Sequence, residues 1–415
     1  MKQENQNKYD VIMIGGGASG FFTAINLAEE YPDLRIAILE RSGKVLSKVK
    51  ISGGGRCNVA HAEYSPREMV KNYPRGEKEL RGPFHRFMTA DVVRWFEDRG
   101  VLIKTEKDGR MFPVSDDSQT VIDCFMDECK RLGVEVLIKQ GVDDFYRENE
   151  NWRVRTATGY YTARYVVVSS GASMKIWNTL EKLGHRIVSP VPSLFTFNIK
   201  DDRIEGLPGL AVDATVSILD KQGKKLRKSE GPLLITHWGM SGPVILKLSA
   251  WGARELAGMD YEFFIEVNWL KDRKEEEIRQ ELKLMRKTQG RLSIMKKSMF
   301  HLPKRLWQSH VLYCGISPDA NWADLSKKEE QQLASVLVRG RFEVRGKSTF
   351  KEEFVTAGGV ELSEIDFKTF ESKILPDLFL VGEVLNIDAI TGGFNFQNAW
   401  TGGFLAAKAI GASAL

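Results

Sequence analysis

The sequence predicts an α/β protein: a Rossmann-like dinucleotide-binding domain with an inserted β-barrel domain and a small helical domain. Three observations carry this. A glycine fingerprint follows the first strand, the pattern changes to short strands and helices between about residues 190 and 350, and strand–glycine–helix grammar returns at the end. The expected division is residues 1–190 and 351–415 for the dinucleotide domain. The insert takes 191–350, with its barrel in about 191–270 and 340–350 and its helices in about 271–338.

Residues 11–15 are mostly apolar, as a strand buried on both faces requires. Gly15, Gly17 and Gly20 follow at G-x-G-x-x-G spacing. Residues 18–31 turn helical, with Phe21, Ile25 and Ala28 on one face. A second strand, residues 35–40, ends in Glu40. Gly15 permits the tight turn, Gly17 lets backbone approach a pyrophosphate, and Gly20 lets helix and strand pack closely. The free N–H groups from Ala18 and Ser19 onward face the phosphates, and the helix dipole favours their charge. The Glu40 carboxylate accepts from ribose hydroxyls.

Residues 41–58 form a long, basic, glycine-rich loop that includes Arg41 and Lys44. Gly53, Gly54 and Gly55 remove side chains where backbone lies against something flat or phosphorylated. Arg56 and Asn58 supply donors, with the Cys57 thiol between them. Residues 65–100 read as helices, with Thr89 as an N-cap. A strand at 101–104 and a helix at 118–132 follow, the helix capped by Ser115 or Asp117. Cys124 and Cys129 lie inside that helix as packing residues. A strand at 134–138 leads to Gly141 and Val142. The alternating segments 152–156 and 160–163 suggest an antiparallel meander. A separate buried strand, 165–171, ends in a glycine turn at Gly171.

Within the insert, His237 lies between a strand and a glycine turn. After it, residues 354–360 and 378–383 read as strands, the second ending in Gly382-Glu383. Gly393, Phe394, Asn395 and Gln397 open a final helix to about residue 410.

Composition narrows the options. The chain has 415 residues, 42% hydrophobic and 28% charged, the balance of a soluble globular protein. No segment reaches the ~18 apolar residues of a membrane span. The first residues lack an apolar signal core, so the expected location is cytoplasmic. The four cysteines form no CxxC pair and no metal spacing, so no metal is expected. The net charge of +5 names no partner by itself. Residues 283–305, opening at Lys283 and closing at Arg305, hold eight Lys or Arg and no acid. Residues 221–228 hold five. Such stretches are either solvated faces or surfaces for a phosphate backbone.

Two features favour FAD over NAD. The strand ending in Gly382-Glu383 offers an acid to ribityl hydroxyls. The start of the last helix, around Gly393, Phe394 and Asn395, directs its positive end at the flavin. No second fingerprint falls within 190–350, so NAD(P)H is expected only as a transient electron donor.

Ser52-Gly-Gly-Gly-Arg-Cys-Asn58, Thr236-His-Trp-Gly-Met-Ser-Gly-Pro243, Thr356-Ala-Gly-Gly-Val360, Gly382-Glu-Val-Leu-Asn-Ile-Asp388 and Thr391-Gly-Gly-Phe-Asn-Phe-Gln397 occur in that order. In this the chain resembles the bacterial NAD(P)/FAD-dependent oxidoreductases of the BaiN/RdsA type. That family includes proteins named aminoacetone oxidase, bile-acid enone reductase and ribosomal RNA dihydrouridine synthase. The resemblance spans nearly the whole chain. It implies an FAD domain with the insert described above, with the glycine loop and the final Gly-Gly-aromatic-Asn turn lining the flavin.

The expected activity is a flavin-dependent reductase that passes a hydride to a conjugated C=C, with a protein acid or water protonating the other carbon. The leading substrate is uridine in 23S ribosomal RNA, held by residues 283–305. Cys57 and His237 are the candidate acids, and Asn395 and Gln397 the expected flavin hydrogen-bonders. The alternatives are an amine oxidase acting on small molecules, with Phe394, Phe396 and Trp400 as an aromatic cage, an enone reductase, and a non-catalytic FAD-binding protein.

Overall fold

A computed structural model describes residues 7–348 and 355–414. The chain forms two compact units, Met1–Val191 with Lys351–Leu415, and Pro192–Phe350. Phe354, the first residue of one expected strand, lies outside the described residues, and the strand described there is Val355–Val360.

The first unit is built on a sheet whose parallel part runs Leu378–Leu380, Gly159–Val168, Lys8–Ile14, Ile36–Leu39 and Glu135–Leu137. The opening strand is central, with Val11 opposite Ile36 on one side and Tyr165 on the other. Val11, Ile12 and Met13 are fully buried, which is why this run is apolar without alternation. The helix Ala18–Glu30 packs against the closing helix Phe394–Ala414. Small residues make that approach possible: a Cβ on Gly403 would lie 2.9 Å from Thr23 Oγ1, and one on Gly411 would overlap the Tyr31 ring.

Three expectations change. The segments 160–163 and 165–171 are not separate, because Gly159–Val168 is one ten-residue strand. Arg164 faces outward between buried Ala163 and Tyr165, so the apparent break is the pleat. The loop after Glu40 contains a kinked helix, Ser47–Gly55, seated on buried Leu46 and Val49. Thr89 is inside its helix rather than capping it; its hydroxyl donates to the carbonyls of His61 and Glu63.

The second unit holds seven antiparallel strands in the order Gly340–Arg345, Glu262–Asn268, Ala211–Leu219, Lys225–Thr236, Gly239–Ser241, Thr196–Asn198 and Lys347–Ser348. Only Gly346 separates the first of these from the last, so the sheet closes on itself as a barrel. Gly346 donates to Tyr261 O at 2.9 Å and accepts from Asn198 N at 3.2 Å. Its φ of +89° is one that glycine adopts without strain. Phe197, Val216, Ile235, Ile265 and Phe342 are buried in this unit's core. The helices Glu275–Thr288, Lys304–Tyr313 and Lys327–Arg339 share that core, with Trp307 and Trp322 at its helical end.

Among the described residues, no helix is long and apolar enough to cross a membrane. None of their His, Cys, Asp and Glu side chains form a group of three or more that could hold a metal.

Candidate active site

The fingerprint glycines are fixed by contact. A Cβ on Gly15 would stand 2.7 Å from Ser169 O, and one on Gly20 would stand 2.4 Å from Gly15 O. Gly17 meets nothing closer than Ser169 O at 3.9 Å, so space remains before the helix start. The first in-helix bond there is Phe21 N to Gly17 O, and the first turn carries no acid. The N–H groups at Ala18 and Ser19 therefore carry the positive end of the helix with no acid in its own first turn to offset it. Glu40 sits beside them, with Oε2 accepting from Gly16 N at 2.9 Å and Oε1 from Ser42 N at 2.8 Å. Arg41 and Lys44 are exposed on the following turn. Gly141 abuts Arg41, and Val142 is buried opposite Thr156.

The kinked helix joins this site through Leu46 N, which donates to Gly16 O at 2.8 Å. Gly53, Gly54 and Gly55 all have positive φ, and a Cβ at Gly54 or Gly55 would meet nothing within 4 Å. This is an open backbone surface of the kind that cradles a ligand. The flanking side chains serve other ends. Arg56 is not a free donor: it pairs with Glu106 at 2.6 Å and lies over the Phe112 ring. Asn58 is buried and accepts from Met111 N at 3.2 Å, which pins the loop to Arg110–Pro113. Cys57 is fully buried, and burial pushes its thiol up to about 12. Burial therefore keeps this thiol protonated at neutral pH.

Gly171 and Glu383 come together, since a Cβ on Gly171 would lie 3.6 Å from Glu383 Oε2. Gly382 abuts Ser19 Oγ. Glu383 also takes an ion pair from Lys48 at 2.5 Å, a residue that sequence reasoning missed. The closing helix starts against Ala60, because a Cβ on Gly393 would stand 2.5 Å from Ala60 O. His61, also missed, stacks on Phe394 at 4.6 Å and bonds Gly392 O through Nδ1 at 3.1 Å. The short distance from Asn58 to His61 in the chain was the available signal.

Asn395 uses one amide N–H and one oxygen lone pair on the two backbone groups of Ala389, at 3.2 and 3.0 Å, so its side chain shapes the turn. Gln397 is buried and donates to Thr401 Oγ1. Gln397 Oε1 and Asn398 Oδ1 are buried without a partner among the described residues, so the helix start carries unmet acceptors. Asp388, fully buried, pairs with Arg75 and ties the segment before this helix to the rest of the unit. Trp400 is fully buried among Phe22, Phe96 and Phe125, and Phe394 is buried, so these two rings build core rather than an open cage. His237 is exposed at a hairpin turn of the second unit.

These residues fit a flavin dinucleotide: a helix start with space before it, an anchored acid, an open glycine surface and a second helix start with unmet acceptors. Residues 9–409 match the HI0933-like protein Rossmann domain. The chain belongs to this family. Its relatives include a ribosomal RNA dihydrouridine synthase of Escherichia coli (strain K12), 26% identical over 97% of this chain and 98% of the relative. A 3-dehydro-bile acid delta(4,6)-reductase of Clostridium scindens is 26% identical over 96% and 98%. Among solved structures, the open conformation of a flavocytochrome c3 fumarate reductase shares the fold, with a TM-score of 0.52 and 14% identity over all of this chain and 80% of that one. The family places the chain among FAD-dependent oxidoreductases.

Proposed function

We propose that this family member reduces an activated C=C, and that its substrate is a uridine of 23S ribosomal RNA, saturated to dihydrouridine. Its relative in Escherichia coli bears the name of that activity across almost the full length of both chains. The observation that carries the RNA reading is the state of the basic stretch. Of its eight cations, Arg286 pairs with Glu330 at 3.6 Å and Arg305 donates to Gly206 O. Lys283, Lys287, Arg291, Lys296, Lys297 and Lys304 are exposed, and no acid pairs with them among the described residues. The other basic cluster is different: Lys221, Lys225, Arg227 and Lys228 pair with Glu262, Glu266, Glu255 and Asp272. Gln308 donates to Met295 O at 3.0 Å, so Lys296 adjoins the helix turn that also carries Lys304. Unpaired exposed cations are what a phosphate backbone recruits.

FAD, when bound, supplies the hydride chemistry, and NAD(P)H visiting transiently is the proposed electron source. The protein's part is to hold and orient. The fingerprint helix and Glu40 would hold the ADP half. The start of the closing helix would offer its positive end to negative charge developing on the group held there.

Deleting the gene and mapping dihydrouridine in the host 23S rRNA tests the substrate; an unchanged modification profile rejects it. Lys296→Glu with Lys297→Glu is expected to weaken RNA binding and lower its salt slope by roughly 0.7 per lost phosphate contact. Lys225→Glu with Lys228→Glu should leave both unchanged.

A further inference from the structure

Lys48 and Glu383 stand 335 positions apart and meet in one ion pair, Nζ to Oε2 at 2.5 Å. Lys48 lies in the first turn of Ser47–Gly55, directly after Leu46, whose N–H is bonded to Gly16 O in the fingerprint loop. Glu383 follows Gly382, which abuts Ser19 in the first turn of the fingerprint helix, and it faces Gly171. The pair therefore joins two walls of one groove: the glycine loop with its helix on one side, and the ends of Gly159–Val168 and Leu378–Leu380 on the other. Lys48 is 56% exposed and Glu383 17%, so the cation is the partner free to move and the acid the partner held in place. An ion pair with one member in water is cheap to open.

We propose that the Lys48–Glu383 pair is an exchange contact that closes the cofactor groove. On loading, Lys48 leaves Glu383 and becomes the counter-ion of the dinucleotide pyrophosphate, while Glu383 is released to accept from ligand hydroxyls. The proposal rests on the reading that this site takes FAD. It assigns opposite roles to two residues that share one bond. Lys48 attracts the ligand, whereas the charge of Glu383 competes with the ligand for Lys48. A purely structural pair predicts the same effect from losing either member.

The test is FAD binding to flavin-stripped protein, followed by quenching of flavin fluorescence, at low and high salt. Lys48→Met is expected to raise the Kd at least tenfold and to flatten its salt dependence. Lys48→Arg should restore most of both. Glu383→Gln keeps an acceptor oxygen but not the charge, and is expected to bind FAD at least as tightly as the wild type and to associate faster. Circular dichroism confirms that each variant is folded. If both Lys48→Met and Glu383→Gln weaken binding alike, or neither changes it, the exchange role is overturned. If the wild-type protein itself binds no FAD, the underlying cofactor reading fails instead.

Discussion

Glu40 binds the backbone N–H of Gly16 at 2.9 Å while its other carboxylate oxygen binds that of Ser42 at 2.8 Å. The acid that ends the second strand thus fastens the glycine loop from below, whether or not a ribose is present. Replacing it with alanine removes the acceptor for two half-buried donors. Glu40→Ala is expected to cost about 1–2 kcal/mol of stability, since water can reach part of the site, and to lower FAD affinity about tenfold or more. Urea unfolding and flavin titration measure the two effects separately. Unchanged cofactor affinity would remove Glu40 from the binding site.

The glycine fingerprint was legible because its requirements are local. Gly15 and Gly20 are squeezed against Ser169 and against each other, and no other residue type fits at either position. The closing helix was legible for a similar reason, as its paired glycines announce close packing. What stayed hidden depends on distant partners. Nothing near Arg56 in the chain says that Glu106 will claim its guanidinium, or that Asn395 will turn back on Ala389. The helix at Ser47–Gly55 was masked by its three glycines, whose positive φ values bend its end away from regular geometry. Closure of the barrel through Gly346 depends on pairings with Tyr261 and Asn198, which no local pattern encodes.

A hydrolase-like arrangement lies at the other edge of the first unit. Ser372 Oγ is 3.0 Å from His185 Nε2, and His185 Nδ1 is 2.9 Å from Glu364 Oε2. The distances are those of a Ser-His-acid triad, but the chemistry is not. The Ser372 oxygen already accepts from the N–H groups of Ile374 and Leu375, each at 3.0 Å, so both lone pairs are occupied. Ser372 and His185 are also buried. The group is a structural clasp between Glu371–Ser372 and the turn before Ile187–Ser193. A fluorophosphonate probe should leave Ser372 unlabelled. Ser372→Ala should cost about 2 kcal/mol, because two backbone donors lose their acceptor. Covalent labelling at this serine would show that the hydroxyl is available after all.

His310 gives the second unit an acid-sensitive element. Its ring is fully buried, Nδ1 faces Leu306 O at 2.8 Å, and Nε2 has no partner among the described residues. The Trp269 ring packs edge-on against it at 5.4 Å. Burial holds the imidazole neutral and pushes its pKa down to about 4 from the usual 6.5. The sign follows from proton uptake. Between pH 6.5 and 4 the unfolded chain binds a proton that the folded chain refuses, so stability falls as pH falls through that window. The loss amounts to about 3 kcal/mol by pH 4, at roughly 1.4 kcal/mol per pH unit, and none of it is expected above pH 7. His310→Gln, which carries no titrating group, should flatten this part of the profile even if it lowers the plateau. Denaturant unfolding at a series of pH values, compared between wild type and variant, measures the difference. Parallel profiles would mean that the acid sensitivity lies elsewhere.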